Sequence, residues 1–402
     1  MSLVVLPPIP RNSAITELRA PHYIRRLQRF FGREELARVQ QKFDRDLLHH
    51  GRMYRSWRND RQPWLFSFRR AEQWRRDNYN SPCPLAIQKL VGDAQKIVEL
   101  KSSMTESVQQ KYKKDLFLEN HLDCMLEIET AWHYYVQGFN IAWYEPGQKT
   151  IPEFRVQGGG PDFDVECRRF KGDIADDIKF PLFGEICDVL FEAIAESRKW
   201  GYVNVEVSAE FVFSPAEVTI WKCVFGAAVL QEKRSVNLAN GLTASMDFES
   251  AASPIYSAEQ LPDLATKLGD ATGYFIFRRQ GEKFVEPIGF RCLGPRKTPE
   301  ELTKRIYNEL KRKVDRQLSP ERAGVLVARF EGVYDPNVFN SEGMKDVVRS
   351  LFKRTHLAAC VLQATDSIQD DEISMLHTIP SVLYINSDSP FGDVGNAAHL
   401  VR

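Results

Sequence analysis

The chain has 402 residues, of which 43% are hydrophobic and 27% charged, and its formal net charge is zero. This is the composition of a globular protein with a real core, long enough for two or three domains or for one core carrying large insertions. It excludes a disordered or fibrous chain, and the sequence has no run of about 18 apolar residues that would mark a membrane span.

Seven scattered cysteines without metal-ligand or redox spacing point to reduced thiols in a cytoplasmic protein. The charge is unevenly spread. Residues 1–80 hold 17 Lys and Arg against 8 Asp and Glu, an excess that the rest of the chain balances with the opposite sign. Such asymmetry makes a polyanion the first candidate partner.

In chain order, residues 1–114 read as a basic, mainly helical region, with Ala37–Leu48 and Pro84–Tyr112 as its clearest helices. A helix over about Asp115–Gln137 stops at Gly138, and a short strand over Phe139–Tyr144 and a hairpin over Ile151–Phe170 follow. Leu182–Lys199 has helical spacing. Tyr202–Phe213 and Val218–Leu230, rich in β-branched and aromatic residues, are expected as strands. Asn237–Ser257 is expected as a loop, and Tyr274–Arg279 with Phe284–Phe290 as a second hairpin. Glu300–Leu318 reads as a basic helix capped by Thr298 and Pro299. Gly324–Phe330 reads as a buried strand, then a helix at Ser341–Arg354 and strands at Leu357–Ala364 and Ser381–Ile385. Asp370-Asp371-Glu372 is expected as an acidic loop. The fold class is α+β, a mixed central β-sheet flanked by helices.

The hairpin carries the chemistry. Its sequence, IPEFRVQGGGPDFDVECRRF, centres a turn on Gly159-Gly160 and sets 155 opposite 164 and 153 opposite 166. One face then carries Phe154, Val156, Phe163, Val165 and Cys167, and the other Glu153, Arg155, Asp164, Glu166 and Arg168. Opposed Glu153 and Glu166 repel unless compensated, and a hard divalent cation is one natural compensation. A bland alternative is a solvated surface on which Arg155 pairs with Asp164.

Pro152-Glu153 on one strand and Glu166-Cys167-Arg168 on the next resemble the paired motifs of the PD-(D/E)xK nucleases, which have a restriction-endonuclease-like fold. Two positions depart from that pattern: Glu153 stands where Asp is usual, and Arg168 where Lys is usual. The resemblance covers about 115–180 and 298–388. It implies a nuclease-like α/β domain over residues 115–402 with a β-rich insertion at about 181–297. It also implies a preceding acidic helix residue, here Glu127, with Glu129 pointing elsewhere. By the same resemblance Glu153, Glu166 and Glu127 would hold Mg²⁺ or Mn²⁺, helped by the Cys167 carbonyl, while Arg168 stabilises charge on a phosphodiester of DNA or RNA. Arginine cannot give up a proton to activate water. Proteins of this kind often act in restriction or antiviral defence.

Gly51–Asn80 interleaves Arg52, Arg55, Arg58, Arg61, Arg69, Arg70, Arg75 and Arg76 with Tyr54, Trp57, Trp64, Phe66, Phe68, Trp74 and Tyr79. The arginines suit phosphate contact. The aromatics suit either base stacking or a small core, and the core is the favoured reading for the tryptophans. The basic helix Glu300–Leu318 reads as a solvated face with Glu309–Lys313 as an i,i+4 pair.

The sequence thus points to a metal-dependent nuclease. Its alternatives are a catalytically inactive nucleic-acid-binding protein of the same fold and a protein-interaction scaffold. A homo-oligomer or partner subunit is compatible with each.

Overall fold

The computed structural model describes residues 2–397 except 7–19, 49, 56–62, 77–84, 118–119, 148–150, 159, 172–179, 196, 198, 209–210, 213, 250–252, 254, 257–272, 281–282, 294–296, 334, 366 and 372–373. The chain begins with β1 (Ser2–Leu6), α1 (Ala20–Phe31), α2 (Arg33–Leu48), α3 (Pro63–Arg76), α4 (Leu85–Leu100), α5 (Glu106–Asp115) and α6 (His121–Val136). Next come β2 (Asn140–Trp143), β3 (Phe154–Gln157), β4 (Phe163–Phe170), α7 (Phe180–Ile194), β5 (Gly201–Val207) and α8 (Val218–Leu230). They are followed by β6 (Ser235–Ala239), β7 (Leu242–Phe248), β8 (Ile255–Tyr256), β9 (Gly273–Gln280) and β10 (Lys283–Cys292). The last stretch holds α9 (Pro299–Gln317), β11 (Ala323–Phe330), α10 (Glu342–Phe352), β12 (Leu357–Gln363), β13 (Ser367–Asp371), β14 (Ser374–Thr378), β15 (Ser381–Ile385) and α11 (Gly392–Ala397). The fold is α+β, with mixed sheets flanked by helices.

Two compact units divide the chain. The first comprises residues 1–43, 61–172 and 299–402. Its seven-stranded sheet runs β1-β15-β12-β11-β4-β3-β2. β4, β11 and β12 are parallel, and β2, β3 and β4 form an antiparallel meander. Strands buried on both faces need nearly continuous apolar sequence, which Ala323–Phe330 and Leu357–Gln363 supply. Parallel neighbours also need crossovers; α9 leads into β11, and α10 joins β11 to β12. Both α6 and α9 pack on β4, and α1, α3 and α6 pack on α4.

Several boundaries differ from the sequence expectation in this unit. The long helix expected at Pro84–Tyr112 breaks at Lys101–Ser103, where Thr105 caps a new helix by accepting from the Val108 N–H. The next helix begins at His121 rather than Asp115, because α5 runs on to Asp115. Asp370 and Asp371 are not loop residues: they end β13, opposite Met375 and Ser374 of β14.

The second unit comprises residues 44–60 and 173–298. Its six-stranded sheet runs β6-β7-β5-β10-β8, with β9 also paired to β10. α7 packs on α8, and Phe183, Ile186, Trp221, Phe225, Val203 and Phe290 sit in one apolar core. Asp188 accepts from the N–H groups of Met53 (2.9 Å) and Tyr54 (3.1 Å). A Cβ on Gly51 would lie 2.1 Å from the Asp188 Cγ, so that close approach needs glycine.

Two expectations fail here. Val218–Leu230 is a helix, not a strand: Trp221, Phe225, Ala228 and Val229 are buried at helical spacing, and that burial overrides β-propensity. Asn237–Ser257 is not a loop but holds β6, β7 and β8, and the turn at Asn240-Gly241, with Gly241 at φ +75°, supports a tight hairpin. Of the strand expected at Tyr202–Phe213, the part to Val207 forms; Ser208, Phe211 and Val212 are not in a strand, and residues 209, 210 and 213 lie outside the described residues.

Candidate carboxylate–lysine site

The β3–β4 hairpin has the expected register, with Arg155 opposite Asp164 and Val156 opposite Phe163. The Arg155–Asp164 ion pair forms at 3.0 Å. The ladder ends at Phe154–Val165, one residue short of the expected Glu153–Glu166 pair. Glu153 is held instead by its own N–H, which donates to the Val165 carbonyl at 3.1 Å.

The expected polar face is not a solvated surface. β4 lies between β3 and β11, and two of its carboxylates are enclosed: Asp164 is 2% exposed and Glu166 0%. A buried carboxylate requires a counter-charge, and two helices that the motif reading did not include supply it. From α9, Lys313 Nζ approaches Glu166 Oε1 to 2.6 Å. Lys313 is thus the charge partner of Oε1, and Glu166 Oε2 has no hydrogen-bond partner among the described residues. From α5, Lys111 Nζ lies 3.2 Å from Glu127 Oε2 and 3.3 Å from Glu153 Oε2. The neighbouring Tyr112 hydroxyl donates to the same Glu127 oxygen at 2.8 Å.

Glu127 belongs to the α6 stripe Cys124, Glu127, Ala131 and Tyr134, all buried. Glu129 points away, to Lys96 at 2.9 Å and Arg329 at 2.7 Å, as its place around the helix requires. Glu127, Glu153 and Glu166 therefore share one electrostatic neighbourhood. Burial pushes the Glu127 carboxyl up to about 7; the Glu153 charge adds to this, and Lys111 and Tyr112 oppose it. Glu166 is raised well above the carboxylate range by burial and then by Glu153, against Lys313. Burial works to lower the Lys111 pKa, but Glu127 and Glu153 outweigh it and hold the ammonium above its ordinary value.

Arg168 has another job. Its guanidinium donates to Glu309 on α9 and lies 5.6 Å from the Phe170 ring centre. Two strand residues advance about 6.6 Å and four helical residues about 6 Å, so 166–168 on β4 match 313–309 on α9. The expected Glu309–Lys313 pair on a solvated face is thus replaced by two bridges that hold α9 against β4. Lys313 was missed in the sequence, although a signal exists. It stands seven residues after Ile306 and three after Leu310, both buried, at a position where the helix would place an apolar residue.

The arginine-aromatic segment divides differently. Trp64, Phe68 and Trp74 are buried core residues, and the Trp64 indole donates to Asp93 at 2.9 Å; stacking on bases is closed to them. Arg70, Arg75 and Arg76 on α3 are exposed, whereas Arg69 lies over the Phe43 ring. Arg52 and Arg55 belong to the second unit, with Arg52 over Phe191 and Arg55 donating to the His50 carbonyl. Arg58 and Arg61, with Trp57 and Tyr79, lie outside the described residues.

No protein-family model and no curated protein matches the chain. Among the described residues no helix is long and apolar enough to cross a membrane. Among them, too, no three His, Cys, Asp or Glu side chains stand close enough to hold a metal ion jointly. Mg²⁺ needs only one or two protein carboxylates, with water completing its shell. Glu153 and Glu166 meet that requirement in donor chemistry, and Glu166 Oε2 is an acceptor that a hard cation would fill.

Proposed function

We propose that the protein is a metal-dependent nuclease whose centre is Glu166 on β4. The observation that carries this reading is a fully enclosed carboxylate whose charge partner is Lys313 Nζ at 2.6 Å, beside Glu153 and Glu127. A carboxylate kept in that state costs stability, and such perturbed groups gather at functional sites. The order α6, β2–β3–β4 meander, α9 and parallel β11 supports the same reading, because it brings Glu127, Glu153 and Glu166 into one electrostatic neighbourhood.

In this reading Glu153 and Glu166 hold a divalent cation, and Glu127 joins them directly or through water. A bound Mg²⁺ or Mn²⁺ would polarise the phosphodiester and acidify an attacking water. Lys313 places a fixed positive charge next to Glu166, where negative charge develops on the phosphate. Arg168 acts as a positioning residue, since its guanidinium is engaged by Glu309. The exposed arginines of α3 contribute the long-range attraction of a polyanion.

The test is Mn²⁺-dependent cleavage of plasmid, single-stranded DNA and RNA. Glu166→Gln should abolish it by at least about a hundredfold, the scale on which even outer-shell partners of a metal act. Glu342→Gln, an exposed position on α10, should leave it unchanged. Cleavage that survives Glu166→Gln defeats the proposal. The engagement of Arg168 by Glu309 favours a second reading, a noncatalytic nucleic-acid binder. It would show binding that falls steeply with salt and no cleavage with any metal.

A further inference from the structure

One ammonium group sits between two of the three carboxylates. Lys111 Nζ lies 3.2 Å from Glu127 Oε2 and 3.3 Å from Glu153 Oε2, bridging a helix and a strand much as a divalent ion would. The third carboxylate, Glu166, is fully enclosed, and its Oε2 has no donor. We propose that the Lys111 ammonium occupies the Glu153 carboxylate that the metal needs, and that Mg²⁺ or Mn²⁺ binds at Glu153 by displacing it. The inference rests on the metal-dependent reading above and adds to it a residue that sets metal affinity.

Charge and size both favour the exchange. A divalent ion brings one more positive charge than the ammonium it displaces to a cluster that sets three carboxyl groups against two lysines. Mg²⁺ binds oxygen at about 2.1 Å, closer than the 3.3 Å at which the ammonium holds Glu153, so the two compete for that carboxylate. Lys111 is free to leave. Its side chain is 29% exposed, and it reaches the site from α5 on a flexible four-carbon stem. Lys313, 21% exposed against an enclosed Glu166, remains as the fixed charge.

The experiment measures Mn²⁺ binding to the full chain by calorimetry and by the free-Mn²⁺ electron paramagnetic resonance signal. Wild type, Lys111→Met and the neighbouring control Lys113→Met are compared. Lys111→Met should bind Mn²⁺ about tenfold more tightly or better, and Lys113→Met should match wild type. Equal or weaker binding by Lys111→Met overturns the displacement while leaving the nuclease reading to its own test. No Mn²⁺ binding by either protein overturns both. Should Lys111→Met fail to fold, wild type alone decides. Reductive methylation of Lys111, followed by mass spectrometry, should accelerate severalfold on adding Mn²⁺, with Lys113 unaffected. An unchanged rate overturns the proposal.

Discussion

The two units handle buried charge in opposite ways. Among the described residues of the second, Asp188 is the one buried charged side chain, and backbone N–H groups satisfy it. The first unit buries Asp93, Lys96, Glu127, Asp164, Glu166 and Arg169. Most of these are fully engaged: Asp93, Lys96, Glu129 and Arg329 form a continuous chain of ion pairs, and Arg169 joins Asp123 to Glu331. Glu166 is the exception: its Oε1 meets Lys313 at 2.6 Å, and its Oε2 has no hydrogen-bond partner among the described residues. A unit built only for stability has no reason to keep such a group, because apolar replacements of buried ion pairs are often as stable or more so. The contrast separates charge that organises a fold from charge kept for chemistry.

The harshest way to break the comparison is Lys313→Met, which strands an enclosed carboxylate. Unfolding in urea should show a loss of about 3–5 kcal/mol, and adding Glu166→Gln should restore much of it. A single variant as stable as wild type would mean that Glu166 is already protonated and needs no partner.

The next effect concerns pH. The Glu127 carboxyl titrates at about 7 in the folded chain, against an ordinary value of 4.5. The folded state therefore keeps a proton that the unfolded chain has lost. The stability from this group is complete below pH 4.5 and is lost as pH rises through about 7. Glu127→Gln should flatten that decline by on the order of 2–3 kcal/mol, read from urea midpoints at pH 4.5 and 8.

In the second unit, Asp188→Ala leaves the Met53 and Tyr54 N–H groups without their acceptor. It should cost about 1.5–3 kcal/mol, seen as a lowered thermal midpoint, and Mn²⁺ binding should not change. The mildest change, Arg75→Ala with Arg76→Ala, should alter stability by less than about 0.5 kcal/mol. It should also lower the salt slope of nucleic-acid binding by about 2, as measured by anisotropy. An unchanged slope would remove α3 from the binding surface.

Much of the fold was legible because its signals are local. Alternation over Ile151–Phe170 fixed the hairpin register through the period-2 rule, and the Arg155–Asp164 pair followed from it. Continuous apolar runs marked β11 and β12, and a cap followed by proline marked the start of α9. The failures have equally local causes. Val218–Leu230 is apolar nearly all round, so no period stood out, and packing around Trp221 and Phe225 made the decision. The Asn240-Gly241 turn was a readable hairpin signal that polar neighbours obscured.

By itself the sequence determined that Glu153, Glu166 and Arg168 lie near one another on a hairpin, and that Glu127 and Glu129 occupy different sides of one helix. Backbone periodicity fixes such relations within an element or between adjacent ones. Tertiary structure decided what those side chains meet. Lys111 lies 42 residues from Glu153, and Arg168 lies 141 residues from its partner Glu309; no spacing rule reaches across such intervals. The parallel pairing of β4 with β11 and the docking of α9 enclosed a face whose bland alternative was a solvated surface. That enclosure exchanged Arg168 for Lys313 as the cation beside Glu166. It also placed Lys111 between the other two carboxylates.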